Sequence, residues 1–145
     1  MKVAFYLFFS LWLSASTVWA ADLSDASAPP DLESAKALIA KKDWSAAVSS
    51  LEKFVKANPN NADGFNLLGY SLRNSKRYPE AIFNYKEALR IDPNHRGAHE
   101  YLGQSYVQTK QIDKAKELLA SLEKICGLQC EEYIDLKKSI DKFKK

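Results

Sequence analysis

The 145-residue chain is long enough for one domain, and its 46% hydrophobic and 27% charged residues are ordinary for a globular protein. Its 21 basic and 18 acidic residues give a formal net charge of only +3, which argues against a dedicated nucleic-acid-binding protein with a clustered basic face. The sequence has no Gly-rich phosphate loop, Gly-x-Ser-x-Gly elbow or His-Glu-x-x-His motif, so we do not expect an enzyme.

The first twenty residues have the layout of a secretory signal peptide. Lys2 precedes an uncharged run from Val3 to Leu13, and Val18 and Ala20 lie three and one positions before a plausible cleavage site. An uncleaved membrane anchor is the alternative, but hydroxyl residues dilute this stretch, and a span requires roughly 20 apolar residues. We therefore predict a signal peptide at residues 1–20, export to the periplasm, and no stable membrane insertion after cleavage.

A period of 34 residues begins after residues 21–30, whose Ala, Ser, Asp and Pro content predicts a flexible leader. Each unit contains two stretches with apolar residues at helical spacing, joined by a short polar turn, which predicts an antiparallel helix hairpin. Gly69 and Ala81 are small where the two helices of the middle hairpin approach each other. The residues that keep the 34-residue step include Ala47, Ala81 and Ala115; Gly69 and Gly103; Pro59 and Pro93; and Trp44, Tyr78 and Ile112.

This pattern resembles the tetratricopeptide repeat (TPR). The resemblance implies an all-α, right-handed α-solenoid of three TPR-like helix hairpins, at about residues 31–61, 62–95 and 96–125. Asp31 and Ser34 occupy places where the family has a large residue and Leu, so we expect the first helix to be short or frayed. The middle unit carries the family pattern in Phe65, Leu68, Gly69, Tyr78, Ala81, Tyr85, Ala88 and Pro93.

A C-terminal capping helix is predicted within residues 126–145. Tyr133, Leu136, Ile140 and Phe143 recur at intervals of three and four with charged residues between them. A stack of hairpins exposes the apolar face of its last member, and such a helix covers that face. Gly127 stands before it, at a helix end that favours positive φ.

Cys126 and Cys130, in the stretch CGLQC, are the only cysteines. In an exported protein two neighbouring thiols more often form a disulfide than a catalytic or metal-binding pair. We interpret them as a disulfide that fixes the corner between the last repeat and the cap. The alternative is a small exported redox or metal-handling factor that uses these cysteines with His95 and His99. His99, however, falls at a packing position of the repeat and His95 in a loop, so we predict no metal site and no cofactor.

The resemblance also implies a function, because TPR proteins generally hold peptides or protein segments in a concave groove lined by the first helix of each unit. We therefore predict a non-catalytic protein-interaction scaffold, although the convex face remains an alternative interface. The TPR residues that clamp a C-terminal carboxylate are not reproduced, which makes that mode of capture doubtful. The family pattern places Asp63, Asn66, Tyr70, Arg73, Asn74, Glu100, Gln104 and Gln108 in the groove.

Overall fold

A computed structural model describes residues 31–143, which fold into seven α helices with no β strand in that range. The predicted signal peptide and leader, residues 1–30, lie outside the described residues. The helices are α1 (Leu32–Ala40), α2 (Trp44–Ala57), α3 (Ala62–Asn74), α4 (Tyr78–Ile91), α5 (Arg96–Gln108), α6 (Ile112–Cys126) and α7 (Glu131–Phe143).

Four helices, α1, α2, α3 and α5, begin at a residue whose side chain accepts a hydrogen bond from the first turn. The Asp31 carboxylate accepts from the Ser34 amide at 2.6 Å, and the Asn61 side chain accepts from the Gly64 amide at 2.8 Å. Each such cap satisfies an amide that would otherwise have no partner inside the helix. Pro79 lies in the first turn of α4, where the lack of an amide proton costs nothing.

Each hairpin turn contains a lysine in the left-handed conformation. Lys42, Lys76 and Lys110 have φ of 58°, 61° and 61°, and they follow one another at the 34-residue step. The amide that follows each lysine donates to a carbonyl five residues earlier, as from Arg77 to Leu72 at 2.9 Å. This is the hydrogen bond of a Schellman helix end, which usually uses glycine at the left-handed position. The sequence predicted the turns but not this strain.

The hairpins α1–α2, α3–α4 and α5–α6 stack in chain order, and α7 packs against α5 and α6. A Cβ atom on Gly69 would lie 2.7 Å from the Tyr85 ring of α4, which confirms the predicted close approach of the two helices at Gly69. At 9 residues, α1 is shorter than α3 and α5 with 13 each, as the first unit's departures from the family pattern predicted. The core includes Leu51, Leu68, Leu72, Tyr85, Leu102, Leu122, Leu136 and Ile140.

Helix α7 continues the repeat period as the first helix of a further unit. Leu136 and Ile140, which are buried, lie 34 residues after the buried Leu102 and Tyr106. The approach of α7 to α5 is tight, since a Cβ atom on Gly103 would lie 2.5 Å from a methyl carbon of Leu136. Gly127 ends α6 with φ of 82°. The predicted all-α solenoid with a capping helix is therefore confirmed.

Candidate functional site

An arginine held between tyrosines marks the centre of the surface formed by the first helices of the units. The Arg73 guanidinium carbon lies 5.4 Å from the ring centroid of Tyr70 and 5.5 Å from that of Tyr101. The two rings are 5.1 Å apart, and Trp44 meets Tyr70 edge-on at 6.0 Å. A guanidinium at such distances is attracted to the ring faces. We call Trp44, Tyr70, Arg73 and Tyr101 the aromatic cluster.

Two buried side-chain atoms of α3, one within this cluster and one beside it, lack hydrogen-bond partners. The Oδ1 of Asn66 and the Nε of Arg73 are buried and form no hydrogen bond with any residue the structure describes. The Nδ2 of Asn66 is 3.4 Å from the place where a Cβ on Gly97 would stand, so Asn66 lies against the beginning of α5. Because buried polar groups in folded proteins are nearly always hydrogen-bonded, these atoms are suited to contact a ligand or solvent.

Glu100 is a carboxyl group buried between α5 and α7. It is 7% exposed, and its Oε1 accepts a hydrogen bond of 2.7 Å from Gln104. Burial, together with the negative charges of α7, raises its pKa to about 7, while Arg73 opposes this shift. The sequence placed Glu100 on an open groove. The structure instead buries it beside α7, so it offers the site little exposed surface. The α7 carboxylates are those of Glu131, Glu132 and Asp135.

The amino-terminal ends of α3, α5 and α7 form a charged rim. His95 caps α5, because its Nδ1 accepts from the Ala98 amide at 3.1 Å. Its Nε2 is therefore the protonated nitrogen, and it donates to the Asp63 carboxylate at 3.0 Å. Arg96 approaches Glu132 of α7 at 3.4 Å. Asp63 thus lies at the edge of the groove, away from its centre.

The eight predicted contact residues do not form one surface. Asn66, Tyr70, Arg73, Glu100 and Gln104 belong to the centre, and Asp63 belongs to the rim. Asn74 is exposed at the end of α3 and donates to its own helix, at the Tyr70 carbonyl. Gln108 instead borders a separate cavity of about 380 Å³ against α7.

Sequence reasoning missed Trp44, Tyr101 and the α7 carboxylates as part of this site. Trp44 was named only as a residue that keeps the 34-residue step, and Tyr101 was not among the predicted contact residues. The α7 residues could have been found by extending the 34-residue step, since Leu102 and Leu136 keep it across the cysteine corner.

The cysteines and histidines have structural contacts. The sulfur atoms of Cys126 and Cys130 lie 2.06 Å apart, at disulfide distance. Together with Glu132 these residues offer ligand atoms within 4.8 Å of one another, which could bind a metal only if the two sulfurs were thiolates and not bonded to each other. The Nε2 of His99 donates to the Pro93 carbonyl at 2.8 Å, and His99 is 8% exposed, in keeping with a packing role.

This arrangement defines a class, the α-solenoids of stacked helix hairpins. Profiles of the Tetratricopeptide repeat match residues 32–96 and 72–137, and together they cover most of the chain. The chain belongs to the tetratricopeptide repeat family.

Known proteins of two kinds are similar to it. The mouse protein O-mannosyl-transferase TMTC3 is 30% identical over 79 residues, which are 54% of this chain but only 8% of that protein. The TPR2B domain of yeast Sti1, solved as a complex with pHsp70, superposes with a TM-score of 0.70 at 22% identity, covering 76% of this chain and 90% of that one. The second TPR domain of human RPAP3, solved with the HSP70 peptide SGPTIEEVD, has a TM-score of 0.70 at 14% identity, covering 78% of this chain and 91% of that one.

None of the helices within residues 31–143 is long and apolar enough to cross a membrane.

Proposed function

We propose that this protein is a non-catalytic interaction module that holds an extended segment of a partner protein against α3 and α5. The observation that carries the proposal is the aromatic cluster with the unbonded Oδ1 of Asn66 beside it. The rings offer apolar contact, and the amide of Asn66 can bond a partner's backbone. The structures of Sti1 and RPAP3, which have this fold, were solved with bound partners.

The charge of the site favours a neutral or basic segment. The carboxylates of Glu131, Glu132 and Asp135 on α7 place negative charge beside the groove, although Arg96 lies near Glu132. Arg73 is already engaged with two rings. An acidic segment such as the SGPTIEEVD peptide of the RPAP3 complex would meet these carboxylates. Like charges at an interface disfavour binding, so we propose a ligand preference opposite to that of such peptides.

The proposal includes the compartment and the redox state of the cysteines. The amino-terminal pattern of residues 1–20 supports export, and the periplasm is the compartment we propose. In that setting Cys126 and Cys130 form a disulfide that fixes α6 against α7. Thiol titration of the native and the denatured protein distinguishes this role from redox chemistry: no thiol under either condition supports a structural bond, whereas reactive thiols support the redox or metal-handling alternative.

The groove is tested by co-purification from an envelope extract. The wild type is compared with a triple variant, Asn66→Ala, Tyr70→Ala and Gln104→Ala. The control is a variant with Phe83→Ala and Lys86→Ala, which alters two exposed residues of α4. A partner retained by the control and lost by the triple variant supports the groove. A partner retained by both moves the interface elsewhere.

A further inference from the structure

A second concave surface lies on the outer side of α7. Its apolar part consists of Leu128, Tyr133 and Ile134, and the cavity they help to line measures about 700 Å³, within the range of ligand sites. Leu128 is 51% exposed and Ile134 is 46% exposed, which is unusual for large aliphatic side chains in this small domain. We call this surface the cap groove. Its charged lining residues are Lys137, Lys138, Asp141 and Lys142.

The repeat geometry explains why this surface is open. Helix α7 takes the place of the first helix of a unit, and no helix of the described chain packs on the side where that unit's second helix would lie. In α3 the glycine Gly69 allows the second helix to approach closely. Gly103 keeps the 34-residue step from Gly69 in α5, where it lies against Leu136 of α7 and not against α6. The residue at the next 34-residue step is Lys137. A lysine there prevents the close packing of a regular repeat, so the surface is not suited to end-to-end stacking of a second copy.

The charges of the cap groove indicate the chemistry of its occupant. Three lysines border it against one carboxylate, and that carboxylate, of Asp141, already lies 2.6 Å from the Nζ of Lys137. The cap groove is therefore positive around an apolar floor. A complementary partner presents acidic side chains on either side of apolar ones.

The shape indicates a helix. Ile134, Lys137, Lys138 and Asp141 follow the spacing of one helical face, so the cap groove runs along α7 for about 12 Å, or roughly two turns. An amphipathic helix presents its apolar residues at the same intervals and can lie along such a groove. We propose that the cap groove binds an acidic amphipathic helix of a partner protein. This site is separate from the aromatic cluster and does not depend on it.

Calorimetric titration with two synthetic peptides tests the proposal. Each peptide has about 14 residues, or roughly 21 Å of helix, with Leu on one face. One carries Glu beside the Leu face, and its twin carries Lys at the same positions. We expect the Glu peptide to bind at least about tenfold more tightly than its twin and Ile134→Ser to weaken it by about tenfold or more. The control Phe83→Ser, which alters a 62% exposed residue of α4, should bind as the wild type does.

A charge-reversed variant gives a second, independent readout. Lys138→Glu with Lys142→Glu alters exposed side chains, and circular dichroism checks that the helices are retained. This variant should prefer the Lys peptide. Equal binding of both peptides by the wild type, or no effect of either variant, would overturn the proposal. Two other results would also overturn it. One is a dimer in sedimentation that Ile134→Ser dissociates, which would assign the cap groove to a second copy. The other is binding to phosphatidylglycerol vesicles that Ile134→Ser abolishes, with no binding of the Glu peptide.

Discussion

The buried carboxyl of Glu100 should make the protein less stable as the pH rises. Desolvation, with Asp135, Glu132 and Glu131 of α7, raises its pKa from the ordinary 4.5 to about 7, against the opposing effect of Arg73 on α3. A group whose pKa is raised in the folded state contributes stability that is complete below its unfolded pKa and is lost as the pH rises through the folded pKa. The relevant interval for Glu100 is therefore between about pH 4.5 and about pH 7.

Glu100→Gln removes this dependence while preserving the shape of the side chain. The glutamine oxygen can still accept the hydrogen bond from Gln104. Each pKa unit corresponds to about 1.36 kcal/mol, so ionising Glu100 in the folded state costs about 3 kcal/mol well above pH 7 and under about 1 kcal/mol near pH 5. Relative to the wild type, the variant should gain about 2 kcal/mol in free energy of unfolding between about pH 5 and about pH 8.

Urea unfolding followed by circular dichroism at the two pH values measures this difference. Glu123→Gln, at an exposed position of α6, is the matched control, and its stability relative to the wild type should not change in the same way. If the stability advantage of Glu100→Gln over the wild type were the same at both pH values, or if the variant lost stability relative to the wild type at the higher pH, Glu100 would not have the raised pKa that its burial implies.

Three further sets of substitutions test the fold. Gly103→Ala places a Cβ atom 2.5 Å from a buried leucine of α7 and should lower stability by about 1–3 kcal/mol despite alanine's higher helix propensity. The control Gly97→Ala, whose Cβ would have no neighbour closer than 3.4 Å, should not lower the melting temperature in the same thermal unfolding experiment. Lys76→Gly should stabilise the protein by up to about 1 kcal/mol and raise the melting temperature, because glycine adopts the left-handed conformation of this turn without steric strain. Lys76→Val should lower the melting temperature. Cys126→Ala with Cys130→Ala should lower the melting temperature, with a loss below about 3 kcal/mol because the closed loop is short, and should leave the helical circular dichroism intact; an unchanged melting temperature would contradict a stabilising bond.

The sequence predicted the architecture well because periodicity encodes it. In the structure Gly69 lies against Tyr85 and Leu136 is buried in the core. Both positions can be found from the 34-residue step, which shows where residues must be small or apolar. The left-handed lysines could not be predicted in the same way. Nothing local distinguishes Lys76 from an ordinary turn residue, and only the hydrogen bonds of the helix end require its conformation.

The candidate site was predicted only in part. Family positions placed Asn66, Tyr70 and Arg73 on the first helix of the middle unit, where the structure has them on α3, because such positions depend on one helix alone. Their contact with a partner stays a prediction. The setting of Glu100 depends on how α7 packs on α5, which no single-helix pattern contains. The same packing separates Gln108 from the centre of the groove. Sequence patterns therefore give the face of a helix, whereas the surroundings of each side chain follow from tertiary contacts.

The proposed function requires that a partner segment lies against α3 and α5. The most direct measurement is site-specific photo-crosslinking from a benzophenone side chain that replaces Gln104 at the groove, compared with one that replaces Phe83 on α4. Mass spectrometry then identifies the crosslinked peptide. We expect one partner segment without excess acidic residues to be crosslinked from position 104 and not from position 83, and Tyr70→Ala to abolish the product. Crosslinking from position 83 alone, or a product that Tyr70→Ala leaves unchanged, would contradict it.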